Sequence, residues 1–436
     1  MVVAATFVTL ICTRSITRCV SIFFVEFQMQ FSTDYSTTAW IHSLLDCTTM
    51  LCGNRLSTRV AVMTGGLLSS LGLILSFFAP SLQFLYMSMG ILTGLGFALS
   101  YTPAIAIVGT YFNEKKAMSY GIAMSGRGIG IFILPPLIRL LIDLYSWRGA
   151  LLVLGGIISN LCVCGALMRP VVGQSEGKME NVKPILEEPD VQEDLKTVSS
   201  EEPFFPIKHL SKERRPKCCR FSSSSYKYNF LLKPDFLLLS LSLLFMAFGC
   251  SLPFVYLVPY SISVDLSHHQ AVLLMSILGV MGIVGNITFG WISDRKCLRR
   301  FRVVTFLVPV GFGGLGCLFV PLLKTFPALV SFSVYYGFCD GAFMALIPVV
   351  TSDVVGSAHL SVALGVVSFL HAIPYLISPP IAGWLLDQSG SYTALFLLSG
   401  LSLLSSTSIL TILALLRHCC RGRCVFTDQP SAGLKQ

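Results

Sequence analysis

Charge is what this sequence has least of. Only 12% of its 436 residues are Asp, Glu, Lys or Arg, against about 25% in ordinary soluble domains. Acids are the scarcer sign, 22 against 31 Lys plus Arg, which leaves a net charge of +9. A chain that is 54% hydrophobic with so few charges excludes a soluble globular enzyme and points to a polytopic membrane protein. Metal-ligand spacing is missing too. The 15 cysteines include no CxxC pair. Most stand inside apolar runs such as Leu161 to Cys164, where they pack as small hydrophobes, so neither a disulfide framework nor a metal site is expected. No nucleophile–base arrangement is legible, so no enzyme and no cofactor is expected. Met1 leads straight into apolar sequence without a basic n-region or cleavage site, so no cleavable signal peptide is expected. The excess of positive charge lies in short loops, where orientation in a lipid bilayer accounts for it and no nucleic acid is called for.

What the chain does have is a succession of apolar runs near the ~20 residues that one membrane crossing takes. They lie near 4–27, 37–54, 59–79, 82–109, 117–142 and 149–168, then 235–260, 270–293, 302–323, 326–350, 359–386 and 392–416. Between the two sets comes a polar stretch, 169–233, rich in Glu, Lys, Ser and Pro. Its composition cannot bury a core, so a flexible tether is expected. The expected organisation is all-α: a six-helix half at 1–168, a linker at 169–233, a six-helix half at 234–416 and a basic tail at 417–436. One set of short loops holds Arg55, Arg59, Lys115, Lys116, Arg295, Lys296, Arg299, Arg300 and Arg302; the other holds only Arg139, Arg148 and Lys324. The positive-inside rule then puts both termini and the linker in the cytoplasm.

The first run, Thr6 to Phe27, carries Arg14 and Arg18 in its middle. Four residues apart on a helix, they share one face. An arginine at bilayer depth costs roughly 2.5–3.5 kcal/mol unless it faces a wet cavity or a partner. Either the two line a polar path and await an anion, or they pair with acids of neighbouring helices and hold the bundle. Asp46 in the second run and Asp340 in the tenth are the acids at comparable depth. They either meet a solute's cationic group or neutralise Arg14 or Arg127. His371, beside Pro374 and Tyr375, either gates the path or packs at a helix bend. Asn286-Ile-Thr288 is a glycosylation sequon inside a run and is expected to stay unmodified. Cys218, Cys219, Cys419, Cys420 and Cys424 flank basic residues in a pattern suited to palmitoylation.

Two motifs carry a family resemblance. Gly290-Trp-Ile-Ser-Asp294-Arg295-Lys296, followed by Arg299 and Arg300, resembles the major-facilitator loop motif G-x-x-x-D-R-x-x-R-R. An aspartate such as Asp294 at a helix end can cap and pair with basic neighbours, holding two helices in one transport state. Asn54-Arg55 with Arg59 is its weaker twin. Tyr111-Phe112-Asn-Glu-Lys115-Lys116-Ala-Met-Ser-Tyr-Gly121-Ile-Ala-Met-Ser-Gly126-Arg-Gly128 is similar to the fifth-helix signature of the monocarboxylate transporter family. There Lys115 and Lys116 would sit at the cytoplasmic lip, while Gly121 and Gly126 let the helix pack closely and slide. Gly126-x-Gly128-x-Gly130 follows no strand, so it is not read as a nucleotide loop.

Further matches run from Ile11 through Phe27, Thr38 through His42, Ser125 through Pro135, Phe254 through Pro259 and His371 through Gly383. Together they resemble a branch of that family associated with creatine and guanidinoacetate. The resemblance implies a major-facilitator fold with about twelve transmembrane helices in two pseudo-repeated halves. It also implies facilitated, sodium- and proton-independent transport across the plasma membrane. In that alignment Arg18 takes the place of the first-helix lysine that lactate carriers use for the substrate carboxylate. An arginine there stays charged at any physiological pH and can grip a carboxylate bidentately. Arg14 would assist it, and Asp46 or Asp340 would meet the guanidinium. Some members travel with a single-span immunoglobulin-like ancillary protein. Departures from the family pattern also stand out. Its eighth-helix Asp and Arg, which couple proton to substrate, fall here on Gly282 and Asn286. Its opening acidic-Gly-Gly-Trp-Gly-Trp segment is absent, and the second run is short, about fourteen residues from Trp40 to Gly53. A proton-coupled lactate carrier and a membrane protein that binds without translocating are the alternatives.

Overall fold

Helices run nearly end to end through the described parts of the chain, which in this computed structural model are residues 2–50, 57–111, 116–168, 234–298, 301–356 and 360–426. No strand occurs among the described residues. The linker 169–233, together with Arg55, Lys115, Arg299 and Arg300, lies outside them, and of Lys116 only the backbone is described.

The first crossing is made of α1 (Val2–Cys12) and α2 (Arg14–Phe31), which meet at Thr13 with φ −98° and ψ −71°. The sequence explains the break. Thr9, Thr13 and Thr17 recur every fourth residue, and their hydroxyls donate back to the carbonyls of Ala5, Thr9 and Arg14 at 2.8, 2.8 and 2.9 Å. Such back-bonding competes with the helical ladder and bends it. The crossing continues to Phe31, beyond the expected end at 27, and stops where Ser32 adopts a left-handed conformation. α3 (Tyr35–Met50) and α4 (Thr58–Phe77) follow, then α5 (Leu82–Leu85), which passes through a π-helical stretch, Tyr86–Thr93, into α6 (Gly94–Tyr111).

α7 (Lys116–Ser159) and α8 (Leu161–Leu167) form a continuous apolar stretch of 51 residues, Ala117–Leu167. That is far more than one crossing needs, and Ser146, at φ 61° and ψ 172°, divides it in two. In the second part come α9 (Pro234–Ser263), α10 (His268–Ser293), α11 (Arg302–Phe319), α12 (Phe326–Val355), α13 (Leu360–Ser389) and α14 (Tyr392–Phe426). Ten described helical stretches are long and apolar enough to cross a membrane. With Ala117–Leu167 counted as two crossings, and the 16-residue α3 as another, the described residues supply twelve crossings. The fold is an all-α membrane bundle.

Alternation gives the bundle two ends. The basic end carries Arg59, Arg295, Lys296 and Arg302; the opposite end carries the turns that precede α3, α5, α10, α12 and α14. Side chains such as Leu67, Phe132, Leu140, Phe312 and Leu401 point outward and are exposed, as a lipid-facing surface requires. Inside, small residues bring helices together. A Cβ on Gly121 of α7 would lie 2.6 Å from the Asn286 carbonyl oxygen of α10, and one on Gly126 would collide with the Phe7 carbonyl of α1. The sequence expectation of close packing by these two glycines rests on a concrete contact in each case.

Candidate functional site

Two arginines and one aspartate occupy the middle of the bundle. The break at Thr13 precedes Arg14, and one turn further α2 presents Arg18. Arg18 is fully buried. Its guanidinium lies 4.4 Å from the ring centre of Phe254 on α9 and 5.4 Å from that of Tyr375 on α13. Nη2 donates to the Tyr375 hydroxyl at 3.2 Å, while Nε and Nη1 have no hydrogen-bond partner. Nη1 stands 4.0 Å from Asp46 Oδ2. Arg14 holds the other oxygen, Nη1 to Asp46 Oδ1 at 3.2 Å, and stacks near Tyr101 at 5.2 Å. His42, one turn before Asp46 on α3, places Nδ1 3.6 Å from Asp46 Oδ2. Burying like charges together is expensive, and here two guanidinium groups share a single carboxylate.

Asp340 lies apart from this trio. Its Oδ2 accepts from Arg127 Nη2 at 2.6 Å, and its Oδ1 has no partner. Both acids therefore have an arginine beside them, Asp46 paired with Arg14 and Asp340 with Arg127, and both keep one unpartnered oxygen. Tyr336, one turn before Asp340, is buried with its hydroxyl unpartnered, and its ring meets Phe254 edge-on at 6.2 Å. An aromatic wall thus runs from Arg18 to the neighbourhood of Asp340.

Beside the trio, toward the basic end, is a cavity that is in part continuous with solvent. Arg14, Tyr101, Met124, Met246, Met344 and His371 are among the residues around it. His371 presents an unpartnered Nε2 there, and its ring stands at right angles to Tyr375 with centres 6.4 Å apart. Gly282 and Asn286 are buried in α10, where the Asn286 amide donates to the Gly282 carbonyl at 2.8 Å. Neither can ionise.

Of the loop motif's charged residues, Asp294, Arg295 and Lys296 are among the described ones. Asp294 ends α10 and pairs with Arg302 at 3.0 Å, and Arg302 in turn reaches Asp353 at 3.0 Å. Its sequence neighbour Arg295 instead lies over the Trp291 ring at 4.0 Å. Asp294 also accepts from the backbone N–H of Met118 at 2.9 Å, in the first turn of α7, where helix N–H groups lack partners. Phe254 and Tyr101 were not singled out from sequence, Tyr375 was noted only as a neighbour of His371, and Arg302 only as a loop charge. Phe254 and Tyr375 stood within the matched segments, but no spacing reveals which rings from α9 and α13 will flank an arginine of α2.

Twelve crossings around a central cavity with buried, partly unpartnered charges make the architecture of a membrane transporter. The Major Facilitator Superfamily profile matches residues 6–323. Monocarboxylate transporter 12-B of Danio rerio is 57% identical over 430 residues, 97% of this chain and 88% of its own. Monocarboxylate transporter 12 of Homo sapiens is 54% identical over 425 residues, covering 96% of this chain and 81% of its own. Monocarboxylate transporter 4 of Rattus norvegicus is 32% identical over 403 residues, 91% of this chain and 78% of its own. The chain belongs to the monocarboxylate transporter family of the major facilitator superfamily, and is a multi-pass membrane transporter, not an enzyme.

Proposed function

We propose that this transporter carries creatine and its precursor guanidinoacetate by facilitated diffusion across the plasma membrane, through alternating access of its two halves. In this reading residues 1–168 and 234–416 are the halves, 169–233 is a cytoplasmic linker, and both termini face the cytoplasm. The observation that carries it is the set of free valences around Arg18. Its Nε and Nη1 are unpartnered donors in a fully buried site; they lie on two different edges of the guanidinium, so a carboxylate oxygen can be held at either one without displacing the Tyr375 contact. Two carboxylate oxygens accept no hydrogen bond: Asp46 Oδ2, which stands 4.0 Å from Arg18 Nη1, and, apart from that trio, Asp340 Oδ1. A lactate-like anion would satisfy Arg18 and leave both acceptors bare. A zwitterion with a guanidinium satisfies both ends and can stack on the wall formed by Phe254 and Tyr336.

Such a solute crosses without net charge and so needs no proton. Gly282 and Asn286, where the family resemblance places the coupling pair, have none to give. The test is labelled creatine uptake into oocytes at acidic and neutral outside pH, with and without sodium, with surface expression checked. A parallel arm adds a single-span immunoglobulin-like partner. Uptake indifferent to sodium and pH supports the reading. Acid-stimulated lactate uptake without creatine uptake would replace it with a proton-coupled monocarboxylate carrier.

A further inference from the structure

The ion pair between Arg127 and Asp340 joins the two halves of the bundle at mid-depth. Arg127 belongs to α7 and Asp340 to α12, and both are buried. The pair is held from behind. The Arg127 carbonyl accepts from the Ser15 hydroxyl of α2 at 2.9 Å, next in sequence to Arg14. Met124 and Met344, one turn from Arg127 and Asp340 respectively, both line the central cavity. The pair is also incomplete, because Arg127 Nε and Asp340 Oδ1 have no partner. A carboxylate one helical turn from a cavity-lining side chain, with one oxygen engaged by a guanidinium, offers its other oxygen to a second one.

We infer that Arg127 is a resident guanidinium that holds Asp340 until the solute's own guanidinium competes for it, so that occupancy loosens the α7–α12 pair between the halves. Arg127 is then a positioning residue that acts through Asp340. It makes loading selective for solutes bearing a guanidinium or amidinium group, since a plain monocarboxylate offers Asp340 no cationic N–H donor to replace the Arg127 Nη2 contact. This inference rests on the creatine reading for the identity of the natural solute, but not for the chemistry at Asp340.

The consequence has an unusual sign. Arg127→Lys keeps the buried charge matched but gives up the planar fork, so the resident competitor is weakened. The fraction of Asp340 open to solute rises, and apparent affinity rises with it. Creatine KM is expected to fall roughly three- to tenfold in Arg127→Lys, and Asp340→Asn to abolish saturable uptake. A merely structural Arg127 would change the amount of folded carrier, hence the maximal rate, and leave KM alone. A second measurement needs no transport: thermal stabilisation of the purified full-length protein by methylguanidinium. It is expected in the wild type, stronger in Arg127→Lys and absent in Asp340→Asn. An unchanged or raised creatine KM in Arg127→Lys, together with methylguanidinium stabilisation that ignores both substitutions, would overturn the inference. If wild type carries no creatine but methylguanidinium stabilisation follows the expected order, the Arg127–Asp340 assignment stands and the creatine reading falls.

Discussion

Asp294 and Asp387 do the same thing at opposite ends of the bundle. At the basic end, Asp294 of α10 accepts the Met118 N–H in the first turn of α7 at 2.9 Å. At the other end, Asp387 of α13 accepts the Tyr35 and Ser36 N–H groups in the first turn of α3 at 3.1 and 3.0 Å. In each case an acid near the end of a second-half helix caps a first-half helix, where unpaired N–H groups and the helix dipole favour negative charge. Two clasps of like construction thus join the halves, one on each face of the membrane.

Cutting the two clasps should therefore have opposite effects. Each cap contributes about 0.5–2 kcal/mol. Asp387→Ala should raise exposure of the cavity from the opposite end by a few-fold to roughly thirtyfold, and Asp294→Ala should do so from the basic end. Labelling of a cysteine placed in the cavity by an impermeant reagent, applied to each face in turn, reads this directly. Asp294→Asn should fall between wild type and alanine, because it retains an acceptor for Met118 but loses the charge opposite Arg302. Equal shifts from both ends would show that the caps stabilise the fold without setting its state.

A second expectation concerns Asp46, whose carboxylate stands between Arg14 at 3.2 Å and Arg18 at 4.0 Å. Asp46→Asn leaves two buried guanidinium groups facing one another without compensation. The loss should be about 3–5 kcal/mol, the usual size when one partner of a buried pair is removed. Adding Arg14→Gln to Asp46→Asn should recover a good part of it, since the uncompensated charge then falls by one. Thermal unfolding of the purified single and double variants gives the coupling. A double variant less stable than Asp46→Asn would contradict the pairing.

Much of this was legible from sequence, and the division has a physical logic. The crossings could be read because hydrophobic length is a local property. Arg14 and Arg18 could be placed on one face because helical period fixes it, and Asp46 and Asp340 stood out as acids in apolar runs. Which acid meets which arginine could not be read. Arg127 and Asp340 are separated by 213 positions, and only the packing of α7 on α12 brings them together. Asp294 was expected to pair with basic residues, and which of them it would meet could not be read: its described partner is Arg302 at the start of α11. The kink at Thr13 had a signal in the four-residue recurrence of threonine. The π-helical stretch Tyr86–Thr93 had none that composition could supply.

Gly121 offers a stability test of the seam between α7 and α10. A methyl group there would stand 2.6 Å from the Asn286 carbonyl and 3.4 Å from the Gly290 Cα. These are backbone atoms that cannot swing aside. Gly121→Ala should therefore force the helices apart and cost about 1–3 kcal/mol, the range for overpacking a close-packed site. Gly156→Ala is the control, because nothing lies within 4 Å of its added methyl. Melting temperatures of the two variants should differ, with only Gly121→Ala lowered.

Arg18 gives the sharpest test of the site itself. Its charge persists at every physiological pH, so wild-type creatine uptake should have a flat pH profile. Arg18→Ala removes both unpartnered donors and the only buried cation without a direct carboxylate hydrogen bond among Arg14, Arg18 and Arg127. Uptake should fall by roughly thirtyfold or more, as truncating one partner of a buried hydrogen-bonded charge pair costs about 2–5 kcal/mol. Arg18→Lys keeps the charge but not the fork and should raise KM while preserving some rate. Tyr375→Phe separates holding from charge, because it deletes only the hydroxyl that accepts from Nη2 at 3.2 Å. The ring that flanks the guanidinium stays in place. Its KM should therefore rise less than that of Arg18→Lys. If Arg18→Ala transports creatine with unchanged KM, the carboxylate is bound elsewhere, and Arg18 serves only to satisfy Asp46 and its aromatic neighbours.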